Sequence, residues 1–327
     1  MFLWGDCMSN CLLIGGSGFA GINICKAFIT KGYNVSIASK KGEHYYRIRE
    51  LFPKINIIPI DFTSYVEWHK ILRNIDFVYH MVSTTTPTNK DLLYDFTSNV
   101  LPTIKLLEAC VNKSLELIYF SSGGAVYGLP RYMPIDERHR TDPISAYGIH
   151  KLSVEKCIEY YGRMYGLKYR ILRISNLYGA YQDCNRNQGV IAVFLSRILK
   201  QECIEIWGSG SAIRDYIYID DLINFCFKLM HYKGEERIFN VGSGKGYSLN
   251  EVVELFRIKT NNLFRVKYLP CRIQDVSANV LDISLSEKEL DWHPQISLSE
   301  GIDKMISLWD DKRMNFSLNF EARCLYE

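Results

Sequence analysis

The chain has 327 residues, of which 47% are hydrophobic and 23% are charged. This composition excludes a disordered chain, and the length predicts two lobes or one large α/β domain with an appended part. The formal net charge is only +3 and most basic residues are scattered, so there is no electrostatic reason to expect nucleic acid as a partner.

Ten cysteines are spread along the chain without a CxxC pair and without a Cys/His cluster of zinc-ligand spacing. We therefore expect no metal site, and free thiols that act as small apolar residues in a reducing compartment. No apolar run approaches the ~18–20 residues of a membrane span, and the first residues do not resemble a signal peptide. These features predict a soluble, cytoplasmic protein that does not bind a membrane.

Short apolar runs alternate with helical patterns over the first half of the chain. The predicted strands are Cys11–Ile14, Asn34–Ala38, Ile55–Ile60, Phe77–Val82 and Leu115–Ser121. The predicted helices are Ala20–Lys31, Val100–Val111 and Ala146–Met164. Strands that alternate with helices favour parallel pairing with right-handed crossovers. The pattern predicts an α/β fold, a Rossmann-type doubly wound parallel sheet.

The pattern changes after a further predicted strand at Tyr169–Ile174. Loops lengthen, aromatic residues increase, and short strand-like fragments such as Ile204–Trp207 appear between helices. We predict a dinucleotide-binding domain over residues 1–176 and a smaller C-terminal α/β substrate lobe over residues 177–327. Asp215–Tyr218 and Ile238–Val241 are candidates to return to the main sheet.

A glycine-rich loop joins the first predicted strand to the first predicted helix. Its glycines are Gly15, Gly18 and Gly21. Such a loop lets backbone N–H groups approach a pyrophosphate at the N-terminus of a helix. The strand–loop–helix context makes a dinucleotide site the favoured interpretation over a tight turn without a ligand.

The end of the second strand bears on the choice between NAD and NADP. An NAD site usually has an acid about 20 residues beyond the loop, and Ser39 stands there, followed by Lys40. A hydroxyl beside cations could bind the 2′-phosphate of NADP. An equally good interpretation is that the lysines simply begin a solvated loop. Asp61 is a candidate to accept a hydrogen bond from adenine or to cap a helix. Both cofactors stay open at this point.

Tyr147 and Lys151 are four residues apart on a predicted helix, so they share one face. A cation beside a phenol favours the phenolate and lowers a pKa that is ordinarily about 10. Together with the upstream glycine loop, this pair predicts an acid–base centre.

The ordered motifs resemble the extended short-chain dehydrogenase/reductases, and among them the nucleotide-sugar 4-epimerases. The resemblance covers nearly the whole chain. It rests on the glycine loop and on Asp61-Phe62, His80, Asn99-Val100, residues 121–128 (SSGGAVYG), Tyr147 with Lys151, residues 172–179 (LRISNLYG), residues 214–217 (RDYI), residues 239–242 (FNVG) and residues 272–276 (RIQDV).

The resemblance implies a role for each matching residue. Tyr147 would take the proton from the sugar 4-hydroxyl, and Lys151 would hold the nicotinamide ribose. The cofactor would be NAD, with NADP as the alternative, and the substrate a nucleotide sugar linked to UDP. Further cofactor contacts would come from Phe19, Ser39, Lys40, Asp61, Phe62 and Asn99. Substrate contacts would come from Ser83, Thr85, Asn176, Arg214, Arg272 and Asn279, with Asn176 and the arginines on the diphosphate.

Family members usually pair as homodimers, for which the helices Val100–Val111 and Ala146–Met164 are the candidates.

The chain departs from the family where a hydroxyl normally bonds the reacting group, because this position is Gly123. Three alternatives stay open: Ser122 supplies the hydroxyl, a side chain of residues 83–86 supplies it, or Tyr147 works without a hydroxyl partner. Loss of such a bond would slow the reaction roughly tenfold to a few hundredfold. The acid pair of the related dehydratases is also missing, since Gly124 and Ala125 stand there.

Asn279 occupies a position where the epimerases use a bulky tyrosine to exclude N-acetyl sugars, so we expect N-acetylated substrates to be accepted. Two other functions stay open on the sequence alone. One is an NADPH-dependent reductase of a 4-keto nucleotide sugar, and the other is a protein that binds a nucleotide sugar without turning it over.

Overall fold

The computed structural model describes residues 9–183, 189–261, 264–270 and 276–310. They form two compact units. The first comprises the chain up to Val126, Ser145–Leu172 and Glu236–Ile238, and the second comprises Tyr127–Ile144, Arg173–Glu235 and the chain from Phe239 onward. The chain therefore contributes several separate segments to each unit, whereas the sequence suggests one main boundary near residue 176.

The described residues contain thirteen strands. These are β1 (Asn10–Ile14), β2 (Asn34–Ser39), β3 (Asn56–Pro59), β4 (Phe77–His80), β5 (Glu116–Ser122), β6 (Lys168–Ile174), β7 (Asn176–Tyr178), β8 (Ile204–Trp207), β9 (Ile213–Tyr218), β10 (Ile238–Val241), β11 (Gly246–Ser248), β12 (Val266–Leu269) and β13 (Ala278–Asn279).

The helices of the described residues lie between these strands along the chain or after the last of them. They are α1 (Phe19–Thr30), α2 (Glu43–Leu51), α3 (Trp68–Ile71), α4 (Leu92–Asp95), α5 (Leu101–Cys110), α6 (Ala146–Tyr165), α7 (Val190–Leu199), α8 (Ile219–Met230), α9 (Leu249–Lys259), α10 (Ser284–Leu290) and α11 (Leu298–Asp310). None of them is long and apolar enough to cross a membrane.

Seven strands form the main sheet in the order β3-β2-β1-β4-β5-β6-β10. The pairs β1–β2, β2–β3, β1–β4 and β4–β5 are parallel. Residues Cys11–Ile14 of β1 are at most 1% exposed, which explains why this strand is apolar without alternation. The sheet confirms the predicted doubly wound fold. Its order reverses between β1 and β4, which is where ligands bind in such sheets.

One predicted helix begins earlier than its sequence pattern indicates. α5 (Leu101–Cys110) confirms the predicted helix Val100–Val111, and α4 with a π-helical segment at Phe96–Val100 extends this helical stretch toward its N-terminus. Polar side chains interrupt the apolar periodicity of this N-terminal part, and they face a loop and not the core. The helix containing Tyr147 agrees with its prediction at both ends. Ser145 caps its first turn by accepting from Gly148 N, and Gly166 ends it in a left-handed conformation.

The second unit has its own sheets. One has the order β11-β9-β13, with β7 on β9, and a smaller one pairs β12 with β8. Our expectation that Asp215–Tyr218 returns to the main sheet is therefore wrong, since this segment belongs to β9, whereas Ile238–Val241 does join the main sheet as β10. Both segments are short and apolar, so their local sequence pattern carries no information about which sheet they join.

Candidate active site

The glycine loop lies at the carboxyl end of β1, beside the point where the sheet order reverses. A Cβ atom on Gly21 would lie 2.4 Å from Gly16 Cα, so the start of α1 packs directly on the loop. Gly15 has a φ of +81°. A Cβ on Gly18 would meet nothing closer than Gly15 O, at 3.4 Å. Gly18 is also the N-cap of α1, whose first N–H groups lack intrahelical partners. The loop fits a pyrophosphate over Gly18 and Phe19.

The residues at the ends of β2 and β3 contact one another and the glycine loop. Ser39 is buried, and its hydroxyl lies 2.5 Å from that of Ser17. Lys40 Nζ lies 2.9 Å from Asp61 Oδ2. Hydrogen bonds from Thr63 and then from Lys40 lower the pKa of Asp61 to about 2. Because Asp61 already pairs with Lys40, this cation is less available to a 2′-phosphate than the sequence suggests.

Two residues of the predicted cofactor set have other contacts. The side chain of Phe62 belongs to the apolar core and packs against Trp68 and His80, so only its backbone is placed to meet a cofactor. The side-chain amide of Asn99 accepts from Thr84 N at 2.9 Å and donates to Thr84 Oγ1 at 2.8 Å. Asn99 therefore holds the loop that follows β4.

Tyr147 and Lys151 lie on one face of α6. Lys151 is 3% exposed and donates to Phe120 O at 2.9 Å. Its ammonium group lies 5.0 Å from the ring centre of Tyr119 and 5.7 Å from that of Tyr147. Lys151 thus fixes α6 to β5 and places a cation beside the Tyr147 ring, on the helix face that the spacing predicts.

The pKa values of the pair are shifted by burial. Burial lowers the pKa of Lys151 to about 8, partly offset by the Glu155 carboxylate. Burial raises the pKa of Tyr147 to about 12, a hydrogen bond with Ser83 lowers it, and the charge of Asp95 raises it. The sequence-based expectation of a lowered tyrosine pKa is wrong for this structure, because the loss of hydration outweighs the nearby cation.

The hydroxyl that Gly123 lacks has two candidate replacements, and the structure places them differently. Ser122 ends β5, and the hydroxyl of its neighbour Ser121 donates to the buried carboxylate of Glu155. Alternation along the strand directs Ser122 to the opposite face. Ser83, in the loop after β4, is the residue whose hydrogen bonding lowers the pKa of Tyr147. Ser83, rather than a residue of β5, is therefore the candidate to replace the missing hydroxyl.

Two residues near Tyr147 have no motif in the sequence that would have identified them. Asp95 ends α4 and is fully buried, and His150 lies on α6 with its Nδ1 3.2 Å from Asp95 Oδ1. The His150 ring packs edge-on against Tyr147, with centres 5.1 Å apart. Asp95 belongs to a helical stretch and His150 to the spacer within the Tyr/Lys motif, so neither has a diagnostic neighbour.

Three of the predicted substrate residues lie on adjacent strands of the second unit. Arg214 on β9 is in register with Asn279 on β13, which is 1% exposed. Asn176 on β7 pairs with the other side of β9 and donates to Asp215 O at 2.9 Å. Arg272 lies outside the described residues. The sheet thus collects an arginine and two carboxamides from three separate stretches of sequence.

In the part of the chain that the structure describes, no group of three or more His, Cys, Asp or Glu side chains is arranged to hold an ion. Six cysteines in this part are free thiols, namely Cys11, Cys25, Cys110, Cys157, Cys203 and Cys226.

Comparison with known proteins gives matches over most of the chain. The model of the NAD dependent epimerase/dehydratase family matches residues 11–242. The crystal structure of a UDP-glucose 4-epimerase from Thermotoga maritima with UDP-glucose is 30% identical, with a TM-score of 0.86 over 93% of this chain and 99% of that one. A UDP-N-acetylglucosamine 4-epimerase from Methanobrevibacter ruminantium, in complex with UDP-N-acetylmuramic acid, is 29% identical, with a TM-score of 0.83 over 92% and 99%. A dTDP-4-dehydro-6-deoxyglucose reductase from Escherichia coli is 32% identical over 92% of this chain and 98% of that protein. The chain belongs to the NAD-dependent epimerase/dehydratase family.

Proposed function

We propose that this protein interconverts the C4 epimers of a UDP-linked hexose or N-acetylhexosamine through a 4-keto sugar, with NAD as its cofactor. The observation that carries the proposal is the pair on α6, where the Lys151 ammonium lies 5.7 Å from the centre of the Tyr147 ring, and hydrogen bonding with Ser83 lowers the pKa of the phenol. Both helix and loop lie at the carboxyl edge of a doubly wound sheet, next to a glycine loop fit for a dinucleotide. The two epimerases of similar structure support the assignment.

Tyr147 is the group that would remove and return the proton of the sugar 4-hydroxyl. With a pKa of about 12 it is almost wholly protonated at neutral pH. It acts as a base only when its pKa falls in the assembled complex, and the Lys151 cation and the Ser83 hydroxyl are the groups placed to lower it. The glycine loop and the start of α1 would hold NAD, which would supply the acceptor for the hydride of the sugar C4 and the donor for its return to the 4-keto group.

The remaining residues are proposed to anchor the substrate. Arg214 and Asn176, with Arg272, suit the diphosphate, because guanidinium and amide groups donate to phosphate oxygens. An anchored diphosphate leaves the keto sugar free to turn over between the two hydride transfers. Asn279 is smaller than the tyrosine expected there and would leave more room for an N-acetyl group, and one of the similar structures is an epimerase of an N-acetylated sugar.

Dehydration is disfavoured by the turn that follows β5. A dehydratase of this family would use an acid pair at the positions of Gly124 and Ala125 to drive loss of water. Neither residue can transfer a proton, so the chain lacks the groups that this reaction requires.

A reductase of a 4-keto nucleotide sugar is the second candidate, and two observations favour it. A relative that is 32% identical is a reductase of this kind, and Ser39 and Lys40 stand where NAD enzymes usually have an acid. Against it, Lys40 is paired with Asp61. The two functions differ in redox balance, because an epimerase regenerates its cofactor in each turnover.

The deciding experiment supplies purified protein with UDP-glucose or UDP-N-acetylglucosamine and no added cofactor, and follows the sugars by NMR. We expect the C4 epimer to form, and Tyr147→Phe to lower kcat at least about a thousandfold because its acid–base group is gone. Absence of epimer, together with stoichiometric oxidation of added NADPH when a 4-keto nucleotide sugar is supplied instead, would establish the reductase. Unchanged turnover in Tyr147→Phe would refute the role of this residue.

We also propose that the protein acts as a homodimer in the cytoplasm. The free thiols suit a reducing compartment. Several large apolar side chains are exposed on α5 and α6, the two candidate dimer helices; they are Leu101, Tyr160, Met164 and Tyr165. Such a surface is more apolar than a monomer needs.

A further inference from the structure

Asp95 is a fully buried carboxylate close to the catalytic tyrosine, and the proposed chemistry does not use it. Its Oδ1 accepts a hydrogen bond from the hydroxyl of Thr85, and its Oδ2 accepts from Asn89 Nδ2 at 3.1 Å. Both partners belong to the loop that follows β4. A buried carboxylate is costly unless such donors compensate for its lost hydration. Asp95 therefore fixes this loop at two points.

The same carboxylate reaches the catalytic helix. His150 Nδ1 lies 3.2 Å from Asp95 Oδ1, although the two groups are not aligned for a good hydrogen bond. Burial and the charge of Lys151 lower the pKa of His150 to about 4, so the imidazole is neutral at physiological pH. Its ring packs edge-on against Tyr147. His150 thus links Asp95 to the residue that carries the chemistry.

The loop itself reaches Tyr147 through Ser83. The Ser83 hydroxyl donates to Thr85 O at 2.9 Å, and hydrogen bonding with Ser83 lowers the pKa of the Tyr147 phenol. A neutral phenol donates to Ser83, which in turn donates to the carbonyl. When Tyr147 gives up its proton, the Ser83 hydrogen must turn from Thr85 O to the phenolate. The position of Ser83 is therefore set by the backbone of Thr85, whose side chain Asp95 holds.

A helical irregularity strengthens this arrangement. Ser98 and Asn99 are consecutive, and in an α-helix they would point about 100° apart. In the π-helical segment both reach Thr84, with Ser98 Oγ 2.6 Å from Thr84 Oγ1 and Asn99 Oδ1 2.9 Å from Thr84 N. Such segments often occur at functional sites. Loop residues 83–85 are thus each held by a specific polar contact.

We propose that Asp95 is a positioning residue that, through Thr85 and His150, holds Ser83 against Tyr147, so that Ser83 supplies the hydroxyl missing at Gly123. The inference rests on the proposed function, since it assigns a role within that reaction. Asp95 does not act by activating the tyrosine electrostatically, because its charge raises the pKa of Tyr147. Its contribution is the geometry of the loop.

The test measures kcat and KM of the holoenzyme for four variants. Ser83→Ala removes the hydroxyl, and we expect kcat to fall by roughly tenfold to a few hundredfold with little change in KM. Thr85→Val keeps the shape of the side chain but removes its bond to Asp95, and should lower kcat about tenfold. Thr85→Ser restores the hydroxyl and should restore kcat. The double variant Ser83→Ala/Thr85→Val should be no slower than Ser83→Ala within about twofold, because both changes remove one interaction.

The proposal would be overturned if the fold-decreases in kcat of the two single variants multiplied in the double variant. It would also be overturned by a Thr85→Val enzyme with normal kcat and raised KM, which would indicate direct contact of Thr85 with the substrate. Thr88→Val is the matched control, since its hydroxyl bonds that of Thr86 outside the Asp95 contacts, and it should leave kcat unchanged. Asp95→Asn provides a second route if Thr85→Val fails to fold. It should lower kcat when Thr85 is present, and it should not lower kcat further in a variant that already lacks the Thr85 hydroxyl. A fully active Tyr147→Phe enzyme would refute the proposed function itself, whereas independent effects at residues 83 and 85 with an inactive Tyr147→Phe would refute only the positioning role.

Discussion

Lys151 shows how a functional side chain is held in an unfavourable environment. Its ammonium is nearly inaccessible to solvent, and one backbone carbonyl and two aromatic rings replace its water. These contacts compensate only in part, since burial still lowers its pKa to about 8 from an ordinary 10.5. A lysine with this shift opposes folding at every pH below about 10.5, where the lysine of the unfolded chain is protonated.

Lys151→Met is therefore predicted to stabilise the protein while abolishing turnover. Below pH 8 the lysine is charged in both the folded and the unfolded state, so the cost of burying the charge is fully present. Between pH 8 and 10.5 the unfolded state binds more protons than the folded state, so the wild-type gains stability as pH rises. The shift corresponds to about 3 kcal/mol, an upper bound that lost packing reduces. Urea unfolding of protein stripped of nucleotide, at pH 7 and pH 9.5, should show a stabilisation that shrinks at the higher pH.

Lys156→Met on the same helix is the control for that experiment. Lys156 is exposed and pairs with Glu159, so its replacement should change stability by less than about 1 kcal/mol. If Lys151→Met is less stable than the wild-type at pH 7, with no relative change by pH 9.5, then burial of this charge is not the dominant cost.

The residue scale also shows what a linear sequence can and cannot indicate. The spacing of Tyr147 and Lys151 fixes their common helix face, and the structure agrees. The direction of the pKa shift of Tyr147 depends on how much protein surrounds the phenol, which no spacing reports. Asp95 and Ser83 meet the catalytic helix from distant parts of the chain, so their proximity to Tyr147 follows only from the packing of three segments.

At the scale of elements, the glycine loop and α1 behave as one unit whose glycines have different tasks. Gly21 lies against the backbone of Gly16, whereas Gly18 faces space that a side chain could enter. The first position concerns packing between loop and helix, and the second concerns the approach of a ligand. The sequence pattern of spaced glycines predicts the loop without separating these tasks.

The two glycines should therefore respond differently to alanine. Gly21→Ala places a Cβ 2.4 Å from Gly16 Cα, so the loop must shift and unfolding should become easier by about 1–3 kcal/mol. Gly18→Ala fits sterically and should change stability by less than about 1 kcal/mol, yet weaken NAD binding at least about tenfold by holding the pyrophosphate away. Calorimetric unfolding and NAD titration measure the two quantities. Equal NAD affinity in Gly18→Ala and wild-type would show that the pyrophosphate does not approach this residue.

Elements of the main sheet were predictable because each parallel strand is a short apolar run followed by a loop and a helix. The sequence predicts α5 but not the helical turns before it, since these turns carry polar residues that contact a loop. Asp215–Tyr218, a candidate for the main sheet on its sequence, pairs instead with β7, β11 and β13, which are too short to recognise from the sequence. Regular local patterns predict elements, and long-range pairing between short strands does not follow from them.

At the scale of the whole molecule, large apolar side chains are exposed on α5 and α6. Leu101 is 51% exposed and Met164 62% exposed, although both belong to helices whose other faces are buried. Scattered apolar residues are normal on a surface, but a group on two neighbouring helices favours association. A twofold interface would place the same patch on both protomers.

We predict that Leu101→Glu and Met164→Glu convert a dimer into a monomer, because a carboxylate in the centre of an apolar interface loses its hydration without gaining a partner. Sedimentation velocity on dilutions of the purified protein measures the change. Ile258→Glu is the matched control, since Ile258 is 75% exposed on α9, which belongs to the second unit, and it should leave the dimer intact. A monomeric wild-type protein, or glutamate variants that still dimerise, would exclude α5 and α6 as the interface. Because Tyr147 and Ser83 belong to one chain and one unit, the monomeric variants should keep the hydrogen bond between them and retain measurable epimerisation.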